Sequence, residues 1–488
     1  MNHYSNHPFL SLARLVVETR VPLSISEGFG DGQVDHLIVR DANGCPAIPG
    51  SSFAGVLRGL FRRDHGEVTT AKLFGRRGGD HLIEGASRLH VSWGCLHDSH
   101  DRPVVGLLLG EERARLQDEV LREACFTAPV KRSRVHLNEY GSASDQGLFH
   151  RVALGAGYRF SIELSLRHDG EADETWRHLL GLLVSPAFRL GGGTRAGYGA
   201  LRLVRLHQTT FDFRRKKDLL RYAGLSNDLG VIENLEPTAL PASDASLIRL
   251  QLDPKEGFRF GGGLTPLCQD EAMEARLVPV TERRVLWKEG RGVLGPRELV
   301  IPGSAVKGAL RHRVAYHDHI LRGCFVAVPA FDAAVAACDA DPEHQTDKGP
   351  EMEDLSDNPA VRELFGAAAD SDGDEALGHA GRIFFNDLYL KPETVHYLIH
   401  NGIDPFTGGV RRHVLYSEEV VVQPLTLTLA VADAAGLSTT TVTAFRRALN
   451  DLVSGRLALG AGAGRGHGVF QGLIEGLDTL CPQAGGAA

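Results

Sequence analysis

Apolar residues alternate at the start of each half of the chain. Ala13, Leu15 and Val17 share one face of a predicted strand, and Ile248, Leu250 and Leu252 do the same in the second half. A helical pattern follows each strand. Phe53, Val56, Leu57, Leu60 and Phe61 fall at the spacing of a single buried helix face. Ser51 or Ser52, and Ser304 in the second half, are expected to cap these helices after a Pro-Gly turn. Later helices are predicted over 176–184 and 445–453, each leading into a glycine-rich loop. Each half therefore reads strand, loop, helix, strands, helix, glycine loop, strand. That order predicts an α+β fold, an antiparallel sheet with helices on one face, of the ferredoxin-like or RNA-recognition type.

The two halves also repeat residue by residue. Ile48-Pro49-Gly50-Ser51-Ser52-Phe53-Ala54-Gly55-Val56-Leu57-Arg58 returns as Ile301-Pro302-Gly303-Ser304-Ala305-Val306-Lys307-Gly308-Ala309-Leu310-Arg311. Leu73-Phe74-Gly75 returns as Leu364-Phe365-Gly366, and Arg88-Leu89 as Arg382-Ile383. Leu190-Gly191-Gly192-Gly193-Thr194-Arg195-Ala196-Gly197-Tyr198-Gly199 returns as Leu459-Gly460-Ala461-Gly462-Ala463-Gly464-Arg465-Gly466-His467-Gly468. Blocks recurring in one order mark a duplicated domain. The expected organisation is a first domain over 1–208, a join over 209–246 and a second domain over 247–480. The second domain carries an acidic insertion at about 320–375, and a disordered tail is expected from 481 to 488.

Composition narrows the class without naming a function. Apolar residues make up 43% and charged residues 23% of the 488 positions, as in ordinary globular proteins. No run reaches the ~18 apolar residues of a membrane helix. The start of the chain resembles neither a secretory nor a transit signal, so a cytoplasmic location with no membrane partner is expected. The seven cysteines are dispersed with no Cys-x-x-Cys pair, which gives no disulfide framework. The net charge of −8 hides an asymmetry, +5 for residues 1–225 against −13 for the rest. Most of that deficit sits in 332–375, with 14 acidic and 2 basic residues. Local basic clusters, which phosphate contacts need, remain elsewhere.

Candidate chemistry gathers at the repeated blocks. The glycine loops follow a helix and precede a strand, the reverse of a dinucleotide fingerprint. They suit a bare-backbone approach to a phosphate chain through Gly192, Gly193, Gly462 and their neighbours, assisted by Arg195 or Arg465 and flanked by Tyr198 or His467. Without a ligand they would simply be tight turns. The Pro-Gly-Ser helices offer first-turn N–H groups beside Ser51, Ser52 and Ser304, with Arg58, Lys307 and Arg311 further along. Lys131, Arg132 and Arg134 form a basic stretch in 130–149, answered by Arg411 and Arg412 in 399–415. Each stretch reads as a hairpin excursion able to lie on nucleic acid. Cys95, His97 and His100, and separately His312, His317, His319 and Cys324, could ligate zinc but lack paired spacing.

The Ile-Pro-Gly-Ser-x-x-x-Gly-x-Leu-Arg block, Leu-Phe-Gly and the glycine loop together resemble the RAMP superfamily of CRISPR effector proteins. More narrowly they resemble the backbone subunits of type III complexes. Two such domains in one chain look like a type III-D-like fusion. The resemblance implies binding of crRNA, pairing with target RNA and assembly with other type III effector subunits. It implies thumb hairpins within 130–149 and 399–415. It also implies an endoribonuclease whose catalytic aspartate, possible Mg ligand included, is Asp35, in the segment leading to Ile48. Glu274 is the nearest match in the second half. The alternatives are a non-catalytic guide-RNA scaffold, a metal-independent guide-processing nuclease using a histidine such as His65 or His136, or an unrelated nucleotide-binding enzyme.

Overall fold

The computed structural model describes residues 7–26, 37–75, 86–127, 130–137, 143–170, 174–243, 245–267, 277–323, 357–367 and 378–480. Asp35, Glu274, Cys324 and the greater part of the acidic insertion lie outside them. Two compact units divide the chain. The first comprises Met1–Asp244 with Thr281–Leu299 and Tyr389–Lys391, and the second comprises the remainder.

In the first unit the elements are β1 (Phe9–Thr19), α1 (Gly50–Phe74), β2 (Leu89–Val91), β3 (Cys95–Leu96) and α2 (Glu119–Phe126). The β4 (Val130–Leu137) and β5 (Ala143–Ala153) hairpin follows, then β6 (Arg159–His168), α3 (Glu174–Leu182), β7 (Leu201–Asp212), α4 (Lys216–Ala223) and β8 (Glu236–Pro237). The sheet order is β2-β6-β1-β7-β8, antiparallel throughout, with β3 also on β6. Leu15 of β1 faces Ile162 on one side and Leu206 on the other. Phe53, Leu57 and Phe61 of α1 and Leu179 and Leu180 of α3 pack on one sheet face in a single core. Val56 and Leu60, expected in the same stripe, are only half-buried against it.

All of β1 is buried, the face turned away from Ala13, Leu15 and Val17 included. That face is covered by the segment read as a join. Leu10, Leu12, Phe211 and Leu235 form a second cluster with Phe213 and Leu225. Arg14 ties that cover down, reaching Glu163 at 2.8 Å and the carbonyls of Ser226, Asp228 and Val231. Residues 209–243 of that segment thus carry α4 and β8 and complete the first unit. A short hairpin, Val285–Lys288 with Arg291–Leu294, also belongs there. Val285 enters the core, and Trp287 donates its indole N–H to Gly157 O at 2.7 Å.

The second unit has β9 (Ser246–Pro254), α5 (Gly303–Arg322), α6 (Pro359–Phe365) and β10 (Ile383–Phe385). They are followed by the hairpin β11 (Val395–Ile403) and β12 (Val410–Val421), then β13 (Leu425–Val431), α7 (Thr439–Val453) and β14 (Phe470–Glu475). Its sheet order, β10-β13-β9-β14, repeats the first. The centre repeats too, with Leu250 facing Leu427 and Ile474. Here the alternation holds, with Ile248, Leu250 and Leu252 buried and their neighbours exposed. Among the described residues no helix is long and apolar enough to cross a membrane.

The helix starts differ from expectation. α1 begins at Gly50 and α5 at Gly303, so Pro49 and Pro302 are the N-caps and neither N-cap side chain bonds its helix. Asp387 instead accepts the Gly303 N–H at 2.8 Å. A Cβ on Gly50 would lie 2.2 Å from Val91 O, and one on Gly303 3.1 Å from the Phe385 Cβ and the Asn386 carbonyl carbon. The Pro-Gly pair starts each helix while letting it press against the strand beside it.

Candidate nucleic-acid interface

The glycine loops are the same object twice. Gly191, Gly193, Gly197 and Gly199 have positive φ, as do Gly460, Gly462, Gly466 and Gly468. Each loop docks by equivalent hydrogen bonds. Gly192 donates to Ser24 O at 2.7 Å and Gly199 to Pro22 O at 2.9 Å; Ala461 donates to Arg259 O at 2.8 Å and Gly468 to Gly257 O at 2.9 Å. The N–H groups of Leu190, Gly192, Ala196, Tyr198 and Gly199 are therefore committed inside the first unit. Arg195 stands in the same loop, its guanidinium held below the ordinary range by burial and by Arg63.

Bridges fix which side chains correspond. Leu23 pairs with Leu154 in the first unit and Phe258 with Val421 in the second. Three residues before those partners stand Arg151 and Glu418. The hairpin registers place Arg134 opposite position 149 and His400 opposite Tyr416. Hence Arg134, Arg151 and Tyr198 of the first unit answer His400, Glu418 and His467 of the second.

In the first unit these positions build a cationic surface. Arg132, Arg134 and Arg151 lie 5.7, 5.7 and 5.9 Å from the centroid of the buried Tyr198 ring. Arg151 also reaches under the glycine loop, where a Cβ on Gly192 would be 2.1 Å from its Nη1. Sequence reasoning singled out Arg132, Arg134, Arg195 and Tyr198 and missed Arg151. Its signal is the hairpin register, which sets it across from Arg132. Arg132 itself is spent. It is buried and holds Glu282 through bonds of 2.6 and 2.7 Å. Lys131 is exposed. Arg58 braces its own helix, donating to Gly75 O at 2.9 Å and to Glu67 at 3.0 Å.

The second unit inverts the charge. Glu418 is fully buried, with Arg465 Nη2 at 3.1 and 3.0 Å from Oε1 and Oε2, and Arg259 Nε at 3.4 Å from Oε2. His467 Nε2 lies 3.1 Å from Oε1. Burial pushes this carboxyl up, but Arg465, His400 and His467 outweigh it and hold it below the usual range. Arg465, read as a phosphate contact, is thus partly consumed. Arg411 and Arg412 are exposed on β12. Ile399, Ile403, Phe406, Val410 and Leu415 are also exposed on this hairpin.

The zinc readings meet other partners. His97 Nδ1 lies 2.8 Å from Asp101 Oδ1 and its Nε2 lies 2.8 Å from Ser161 Oγ. That Ser-His-Asp connectivity is almost wholly buried, with His97 at 1% and Ser161 at 4% exposure, so no substrate reaches it. Burial pushes the Cys95 thiol up to about 11. His317 binds Asp451 at 2.7 Å. His65 packs on the rings of Phe61 and His178.

A family model described as the RAMP superfamily matches residues 16–202 and again residues 259–471. A comparison with curated proteins finds no match. Among solved structures, a chain from the cryo-EM structure of the type III-B Cmr-beta bound to cognate target RNA aligns at 15% identity and a TM-score of 0.28. The alignment covers 41% of this chain and 60% of that one, a likeness too weak to carry a structural argument.

Proposed function

The chain belongs to the RAMP superfamily, and on that premise we propose that it is a backbone subunit of a type III CRISPR ribonucleoprotein. It binds guide crRNA along both repeats, presents complementary target RNA, and cuts that target through Asp35 of the first repeat. The observation that carries the RNA-binding reading is the surface around Tyr198. There Arg134, Arg151 and Arg195 meet a bare-backbone loop and the base of a hairpin. Guanidinium groups beside a glycine loop suit a phosphate backbone and read no sequence, which leaves sequence choice to base pairing.

The cleavage chemistry asks little of the protein. The RNA 2′-hydroxyl is the nucleophile, and Asp35 takes its proton as the oxygen attacks the adjacent phosphorus in line. The P–O5′ bond breaks and the departing O5′ takes a proton from solvent water, leaving a 2′,3′-cyclic phosphate and a 5′-hydroxyl. A divalent cation such as Mg²⁺ belongs to the proposal, with Asp35, which lies outside the described residues, as the group that would hold it. Bound there, it would neutralise charge on the scissile phosphate.

The binding reading is tested in the assembled complex with guide RNA. Arg134→Glu with Arg151→Glu should weaken guide retention at least about tenfold and flatten its salt dependence. Guide affinity and salt slope equal to wild type would overturn it.

A further inference from the structure

The first unit answers the Glu418 position with an arginine, and nothing in RNA binding calls for a buried carboxylate there. Charge compensation does not explain its surroundings either. Arg259 and Arg465 already supply two guanidinium groups. Two imidazoles converge on Oε1 as well, His467 Nε2 at 3.1 Å and His400 Nε2 at 2.7 Å. With Arg465 at 3.1 Å, three nitrogens crowd an oxygen that has two lone pairs. His400 loses the competition: its Nε2 is buried, close, and off the line a hydrogen bond needs.

We propose that His400 Nε2, His467 Nε2 and Glu418 Oε1 form a binding site for a zinc-class divalent transition-metal ion. A metal would make ligands of both imidazoles, sharing the ion with Oε1. The three ligand atoms all lie within 4.8 Å of one another. Tetrahedral bonds of about 2.0–2.2 Å need ligand separations near 3.4 Å, so side-chain shifts of under an ångström would admit the ion. Two imidazoles and one carboxylate favour zinc, cobalt or nickel over magnesium or calcium, which take oxygen ligands. Oε2 stays with Arg259 and Arg465, the outer contacts that orient a ligating carboxylate. The surplus positive charge directs an anion, hydroxide or chloride, to the open position. The ring of Tyr416 stacks on His400 at 5.0 Å and steadies it. The site belongs to the second repeat alone, because the first has Arg134, Arg151 and Tyr198 at these positions.

The test is titration of the chelator-stripped, full-length protein with Co²⁺, read by visible absorption, with Zn²⁺ as competitor. One equivalent should give a tetrahedral band between about 500 and 650 nm that Zn²⁺ abolishes. H400Q, at the half-exposed edge of the hairpin, and H467Y, which installs the residue of the first repeat, should each lower Co²⁺ affinity at least about tenfold. Both should keep their metal-free melting temperature within a few degrees. No band on the wild type, or a band unchanged in both variants, would overturn the site.

Discussion

Arg132 and Arg134 stand two residues apart on one strand and have different fates. Arg132 closes a buried bidentate pair with Glu282, whereas Arg134 lies over the Tyr198 ring at the glycine loop. Removing one partner of a buried pair strands the other. Arg132→Ala should therefore cost about 3–5 kcal/mol, read as a lowered denaturation midpoint. Arg134→Ala should leave that midpoint far closer to wild type while reducing the slope of log affinity against log salt by about 0.7 for RNA. The basic stretch was legible in the sequence, but this division was not, since Glu282 lies 150 positions away. Arg151 was invisible for a related reason. Its place depends on the hairpin register, which side-chain chemistry alone does not specify.

Helices and loops were the most legible elements, because their signals are local. Pro-Gly does open both long helices, and both glycine loops turn through the same positive-φ positions. The serines were misread as caps because the helix starts two or three residues earlier than hydroxyl chemistry suggests. The glycine of that block is explained by the neighbouring strand, which no local pattern reveals. Gly50→Ala would drive a Cβ to 2.2 Å from Val91 O and should destabilise the first unit by about 1–3 kcal/mol. Gly55→Ala, on the same helix with nothing within 4 Å, should instead stabilise it by about 0.5–1 kcal/mol. Thermal melts of the two variants should move in opposite directions.

At the scale of the molecule, the repeat announced two sheets of one order, and both were found. The far face of the first sheet escaped notice, because α4 and the 225–235 segment carry no repeat counterpart to flag them. The hairpin at 285–294 escaped for the same reason: an element's pattern states that it needs a core, not which core. The buried His97 network gives the first unit a pH signature. Burial pushes His97 below its ordinary range despite Asp101, so the folded state resists a proton that the unfolded chain accepts. Stability from this residue is present above about pH 6.5 and is lost as pH falls through the folded value. Denaturation midpoints should fall between pH 7 and pH 5, by up to about 1.4 kcal/mol per pH unit for one proton, and His97→Gln should flatten the change. Asp98, Asp101 and Asp451 are held below the usual carboxylate range against burial by their Arg and His partners. Their contributions should persist until pH drops below about 4.

The most direct measurement is cleavage of a labelled complementary RNA by the complex assembled with guide RNA and magnesium, for wild type, Asp35→Ala and Glu274→Ala. Asp35→Ala should erase one cut, leave the guide bound, and remove the 2′,3′-cyclic phosphate end at that position alone. A full set of cuts in the Asp35→Ala complex with the guide retained would contradict catalysis by the first repeat and leave the chain a scaffold.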